Sequence, residues 1–172
     1  MINEFSIVKS TEKIADNTFQ TFLTAPKIAA NIKPGQFINI LPGSYWSNVM
    51  RRPMSVASQK NDIISIIYKI VGQGTKIMSE WSEGERIDLI GPLGNYWDGF
   101  KGKFSILIGG GVGIAPILNL NNYLEDLNEK KVLIMGARFK KEHFIDHKPE
   151  NGIYVTTDDG SLGIHGNVLN PL

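Results

Sequence analysis

The sequence predicts a β plus α/β protein: a six-stranded antiparallel β-barrel over residues 1–102, then a partial Rossmann-like parallel-sheet nucleotide domain over residues 103–172. Three observations carry this. Six short runs rich in β-branched and aromatic residues alternate with turn signals as far as Pro92. Near Lys103 the pattern changes to a fully apolar run that leads straight into a glycine loop. Helical periodicity and two more buried-type strands follow.

In the first part, Phe5–Lys9 and Thr18–Thr24 open the series, and Pro34-Gly35 turns the chain into Gln36–Leu41. Met54–Ser58 and Ile63–Val71 come next, the latter (IISIIYKIV) being the most strand-like run of the chain. A polar turn, Ser82-Glu83-Gly84-Glu85, precedes Arg86–Ile90, and Thr75–Trp81 fits one helical turn. Six strands at this spacing favour a barrel, because closure removes exposed edges. In the second part, Phe104–Ile108 reads as a strand buried on both faces. Ile117, Leu120, Leu124 and Leu127 recur at helical spacing, which predicts a helix over 116–129 with Pro116 in its first turn. Val132–Met135 and Ile153–Thr157 complete a three-stranded parallel layer. This layer reads as unfinished, since a further helix is due where the sequence ends.

Composition narrows the function classes. Apolar residues are 42% and charged residues 20%, and no apolar run approaches the roughly 18 residues of a membrane span. Met1–Ser10 shows no basic region leading into an apolar segment, so a cytoplasmic protein is expected. The net charge of +1, with signs interspersed, argues against a nucleic-acid surface. There is no cysteine, which excludes disulfides, thiolate nucleophiles and Cys-ligated zinc or iron–sulfur sites on these residues.

Three segments carry chemistry. Gly109-Gly110-Gly111-Val112-Gly113 lies between a strand and a helix, where glycines let the backbone approach a pyrophosphate. The competing reading is a tight structural turn. Arg51-Arg52-Pro53-Met54-Ser55-Val56 enters a barrel strand and offers a guanidinium and a hydroxyl to phosphate and ribityl oxygens, against the plainer reading of a solvated arginine. Tyr68-Lys69-Ile70-Val71-Gly72-Gln73-Gly74-Thr75 ends a strand in two glycines and a threonine, suited to phosphate. Its Gly74-Thr75-Lys76 has the wrong spacing for a P-loop.

The ordered set RRPMSV, YKIVGQGT, IGPLGN, GGGVGIAP, GAR and TTDDGSLGIHG resembles the ferredoxin-reductase-like flavoproteins. More narrowly, it is similar to the electron-transfer subunit of the two-subunit, NAD-linked dihydroorotate dehydrogenase. The resemblance implies FAD as cofactor and NAD(H) as electron acceptor. It implies a dihydroorotate-oxidising FMN subunit as partner, in pyrimidine synthesis, and a [2Fe-2S] cluster for which this chain has no cysteine ligands. On that resemblance Arg52, Pro53, Met54 and Ser55 line the flavin and its ribityl–phosphate chain. Ile67, Tyr68 and Lys69 lie along the ring largely through backbone groups, and Gly74 and Thr75 bind the pyrophosphate. Gly109, Gly110, Gly111 and Gly113 face the nicotinamide dinucleotide, with Asp158 and Asp159 nearby. Asp159 reads equally as a turn residue beside Gly160. No side chain is assigned a catalytic role, because hydride transfer needs position rather than a protein acid or base.

Two other readings stay open: a free-standing NAD(P)H:flavin or ferredoxin reductase, and a non-catalytic FAD-binding remnant. Of the smaller features, His143 and His147 lack a third metal ligand. Trp46, Trp81 and Trp97 suit a barrel rim or a subunit contact, and Lys140-Lys141-Glu142 reads as a solvated face. Arg138 lies where a 2′-phosphate could be met, although the resemblance favours NAD.

Overall fold

The computed structural model describes residues 1–43 and 50–172, so Trp46 lies outside the described residues. Six strands close a barrel in the order β1-β2-β5-β4-β3-β6, every neighbouring pair antiparallel. They are β1 (Ile2–Ala15), β2 (Thr18–Thr24), β3 (Phe37–Ile40), β4 (Arg52–Lys60), β5 (Ile63–Lys69) and β6 (Arg86–Leu93). A short helix, α1 (Pro26–Ala29), follows β2, and α2 (Gln73–Met78) follows β5.

Alternation places Val8, Leu23, Ile38, Ile40, Ile64, Ile66 and Leu89 inside, all without solvent exposure. β1 departs from the simple pattern. Its inward residues include Glu4 and Ser6, while Phe5 and Ile7 face outward. Glu4 is tolerated inside because its two carboxylate oxygens accept the Lys27 and Ile28 N–H groups at 3.0 and 2.8 Å, capping α1. β1 also runs longer than the five residues read from the sequence, through two register shifts that bend it around the barrel. Trp81 is not a rim residue: it is buried in the barrel core and donates its indole N–H to the Pro42 carbonyl at 3.1 Å.

The second part is a parallel sheet in the order β10-β9-β8-β7, formed by β7 (Ser105–Gly110), β8 (Lys131–Ala137), β9 (Ile153–Thr157) and β10 (Ile164–His165). The expected three strands are thus joined by a two-residue fourth, too short to show a hydrophobic pattern. Helix α3 (Ile114–Asp126) covers one face, burying Ile114, Leu120 and Leu124 against Leu107, Leu133 and Met135. It ends before Leu127, which caps it half-exposed rather than entering the core.

The two parts meet along a seam. Ala57 and Ile67, outward-facing on the barrel, pack with Ala115 at the start of α3, with Ile14, Val112, Leu118 and Phe144 around them. Asp16 adds a backbone bond to Lys141 and an ion pair with its ammonium at 3.0 Å.

Candidate functional site

At the seam lie three adjoining hollows. The first, about 160 Å³, is lined by Arg52, Pro53, Met54 and the turn from Val71 to Thr75. The second, about 360 Å³, shares Pro53, Met54, Val71 and Thr75 and continues past Ser55, Ile67, Tyr68 and Lys69 to Gly113 and Pro116. The third, about 310 Å³, is lined by Lys69, Gly110, Gly111, Arg138, Glu142, Asp158 and the strand ends of the parallel sheet. Every sequence-predicted site residue lines this run except Gly109.

Two adjacent arginines are separated by their partners. Arg51 is paired with Asp88 at 2.6 Å and also donates to its carbonyl. Among the described residues Arg52 donates only to the Met50 and Arg51 carbonyls and has no carboxylate partner. Its guanidinium lies over Gly74, where a Cβ would sit 2.9 Å from Nε, so that glycine permits the close approach. Thr75 shapes the same turn: its hydroxyl accepts the Val71 and Gly72 N–H groups at 3.0 and 3.3 Å. The result is an uncompensated cation beside a rigid backbone turn, a setting suited to phosphate.

On β5 alternation sends neighbouring side chains opposite ways. Tyr68 points into the barrel, where its hydroxyl meets that of Thr21 at 3.0 Å and burial pushes its pKa up to about 12. Its contribution to the hollow is therefore backbone. Lys69 points outward and lines both the second and the third hollow. Met54 rests partly on the barrel core while lining the first two hollows.

The glycine loop divides into two kinds of position. Gly111 and Gly113 have open space where a Cβ would stand, a Cβ at Gly110 would meet only the Gly136 carbonyl at 3.9 Å, and Gly111 takes a left-handed φ of 52°. Gly109 instead is buried, with Ile114 Cα only 2.8 Å from any Cβ. Expected to face a dinucleotide, it lines none of the three hollows and lets the helix start pack on the strand.

The reading of Lys140-Lys141-Glu142 as a solvated face fails at Glu142. Its neighbours Lys140 and Lys141 are exposed as expected, but the Glu142 carboxylate is buried between the two parts of the protein. Oε1 accepts from Arg138 Nη2 and from Lys69 Nζ, each at 2.9 Å, and Oε2 accepts the Arg138 backbone N–H at 3.2 Å. The Arg138 guanidinium first, and then the Lys69 ammonium, holds this carboxyl down to about 2. Arg138, a candidate for a 2′-phosphate, is thereby engaged. Asp158 lines the third hollow, whereas Asp159 binds the Ser161 N–H and hydroxyl and serves the turn at Gly160. Thr156, buried at the base of that hollow, leaves its hydroxyl without a partner among the described residues. His143 Nε2 meets the Thr156 carbonyl at 2.9 Å and His147 Nδ1 accepts the Val155 N–H at 3.0 Å, so both histidines hold backbone.

A closed antiparallel barrel carrying a cation-and-glycine turn, joined at a glycine loop to a parallel layer, defines a ferredoxin-reductase-like protein. No protein-family model matches the chain. Individual relatives do. The electron transfer subunit of dihydroorotate dehydrogenase B (NAD(+)) from Bacillus pumilus is 31% identical over 177 residues, covering 99% of this chain and 69% of the relative. The subunit of the same name from Fusobacterium nucleatum is 34% identical over 166 residues, covering 92% and 64%. The chain belongs to this electron transfer subunit family, and it spans 62–69% of the length of the first four curated relatives it matches. Among solved structures, an NADH-dependent reduced ferredoxin–NADP oxidoreductase studied for flavin-based electron bifurcation superposes with a TM-score of 0.83 at 29% identity, covering 98% of this chain and 62% of that one. A ferredoxin NADP+ reductase from Neisseria gonorrhoeae, solved with FAD and NADP, has a TM-score of 0.77 at 17% identity, covering 97% and 74%; at that identity it shows the fold alone.

Proposed function

We propose that this chain is an electron-transfer flavoprotein component that binds FAD and exchanges electrons between NAD(H) and a partner subunit. The partner in this reading oxidises dihydroorotate at FMN, in pyrimidine biosynthesis in the cytoplasm. The observation that carries the reading is the single run of three hollows at the barrel–layer seam, lined by twelve of the thirteen residues predicted from sequence. Residues 1–102 would form the flavin-binding unit and residues 103–172 the nicotinamide-binding unit.

The residues present fit such a group. Arg52 would hold phosphate charge and the Val71–Thr75 turn would offer N–H groups beside it. Pro53, Met54, Ser55 and the backbone of Ile67, Tyr68 and Lys69 would give the ring and ribityl chain a shaped wall. Gly110, Gly111 and Gly113 keep the facing side clear for the dinucleotide, with the orphaned Thr156 hydroxyl at its base. When bound, FAD supplies the two-electron redox chemistry, and the protein contributes alignment and exclusion of water. A cysteine-ligated cluster does not fit this chain, which has no cysteine, and no step is assigned to one. No helix among the described residues is long and apolar enough to cross a membrane.

The purified protein is expected to be yellow, and anaerobic NADH should bleach its visible flavin absorption. Bound flavin that NADH fails to bleach would overturn electron transfer and leave only a flavin-binding role. Capture of a dihydroorotate-oxidising subunit by the tagged chain tests the partner separately from the cofactor.

A further inference from the structure

One charged cluster at the seam takes its members from both parts of the protein. Glu142 ends a helical turn of the parallel layer, Lys140–Glu142, with 9% of its side chain exposed. Lys141 beside it is tied to the barrel through Asp16, by a backbone bond of 2.8 Å and an ion pair at 3.0 Å. The turn is thus fixed against the barrel. From it the carboxylate accepts from Lys69 Nζ, from Arg138 Nη2 and from the Arg138 backbone N–H.

The two cations face different surroundings. The Arg138 side chain is 69% exposed, with the Asp158 charge near it. The Lys69 side chain is 24% exposed. Among the described residues Lys69 is the only cation lining both the hollow of Met54, Ser55 and Ile67 and the hollow of Gly110 and Gly111. It therefore stands where the hollows assigned above to the flavin ring and to the dinucleotide adjoin.

A lysine ammonium rides on a flexible four-carbon stem and by itself follows water. Here three donors hold the Glu142 carboxylate, and the carboxylate in turn holds the ammonium. Two cations share one carboxylate, so the trio keeps a single surplus positive charge. Charge beside a flavin ring tunes its electronics. Reduction adds electrons to the ring, and a nearby cation favours the more negative form.

We propose that Glu142 is a positioning residue for the flavin's redox behaviour: it fixes the Lys69 ammonium at the junction of the two hollows and cancels part of its charge, which keeps the reduction potential below the value an uncompensated Lys69 would set. The proposal rests on FAD occupying the hollows assigned to it above.

The test is a spectroelectrochemical titration of the FAD-loaded full chain against a reference dye. Glu142→Gln keeps the size of the side chain and removes its charge. At a fixed potential its reduced-to-oxidised flavin ratio should rise about tenfold, a shift of about 30 mV for two electrons. Lys69→Met should lower the ratio by a similar factor, and Lys69→Arg, which keeps the charge, should stay nearer the wild type. The positioning itself shows without flavin. The 15N-labelled apo-protein should give a resolved, slowly exchanging ammonium signal for Lys69 that is lost in Glu142→Gln. Should that variant fail to fold, the two Lys69 variants and the wild-type ammonium signal decide. Flavin bound at the wild-type potential in Glu142→Gln or in Lys69→Met overturns the proposal and leaves Glu142 a structural tie. So does a Lys69 ammonium signal missing from the wild type. A chain that takes up no flavin overturns the proposed function and this inference with it, whereas bound flavin at unchanged potential overturns this inference alone.

Discussion

The barrel and the parallel layer manage their edges in opposite ways. In the barrel each strand has two partners, and its core includes eight large side chains with no exposed surface: Leu23, Ile28, Ile38, Ile40, Ile64, Ile66, Met78 and Leu89. In the layer, β7 has a partner on one side only among the described residues, and Phe104 just before it and Ile106 within it are 63% and 51% exposed. The barrel is held by its own closure, whereas the layer depends on α3 and on the seam. A site placed between them inherits a rigid wall from one side and a more weakly anchored wall from the other.

The strongest way to break this contrast is Gly109→Ala. The added carbon would meet Ile114 Cα, a backbone atom that cannot rotate away, at 2.8 Å. A destabilisation of about 3 kcal/mol is expected, and hydrogen exchange should show protection lost in β7 and β8 but retained in β1 to β6. Equal loss in both parts would mean that the barrel does not stand apart from the layer.

Arg52→Ala attacks the barrel side of the site without its scaffold. Since Arg52 bonds only nearby carbonyls, the apo-protein should melt almost unchanged. FAD affinity should fall by about 2 kcal/mol, the scale of a charge-assisted phosphate bond. Unchanged flavin occupancy on equilibrium dialysis would remove Arg52 from the site.

Glu142→Gln acts on the link between the parts and should cost roughly 1–2 kcal/mol. Its pH dependence has a definite sign. The carboxyl is held at about 2 in the folded protein, below the roughly 4.3 of an unfolded chain. The stabilisation is therefore complete above that unfolded value and is lost as pH falls toward 2. Denaturant midpoints measured between these limits should slope for the wild type and flatten for the variant. A smaller effect, about 1 kcal/mol, is expected for Thr75→Ala, which removes the hydroxyl tying the turn at Val71 and Gly72. Its readout is the melting temperature of the apo-protein.

Much of this was legible beforehand. Ile63–Lys69 announced itself by unbroken β-branched character, and Gly110, Gly111 and Gly113 by their place between a strand and a helix. Other features were hidden for identifiable reasons. Ile164–His165 is too short for any periodicity. Glu4 sits in a run that reads as polar-out, because its inward role depends on the end of α1 arriving beside it.

By itself the sequence determined the fold class, the order of its elements and the three segments that converge on the seam. Each of these rests on local periodicity and turn chemistry, which neighbouring residues set among themselves. Tertiary structure alone decided which charges remain available. Arg51 is neutralised by Asp88 across the barrel and Arg52 is not. Lys69 and Glu142, 73 residues apart in sequence, meet at 2.9 Å because the layer folds back onto β5. Such pairings depend on distances through space, and a linear pattern carries no measure of them.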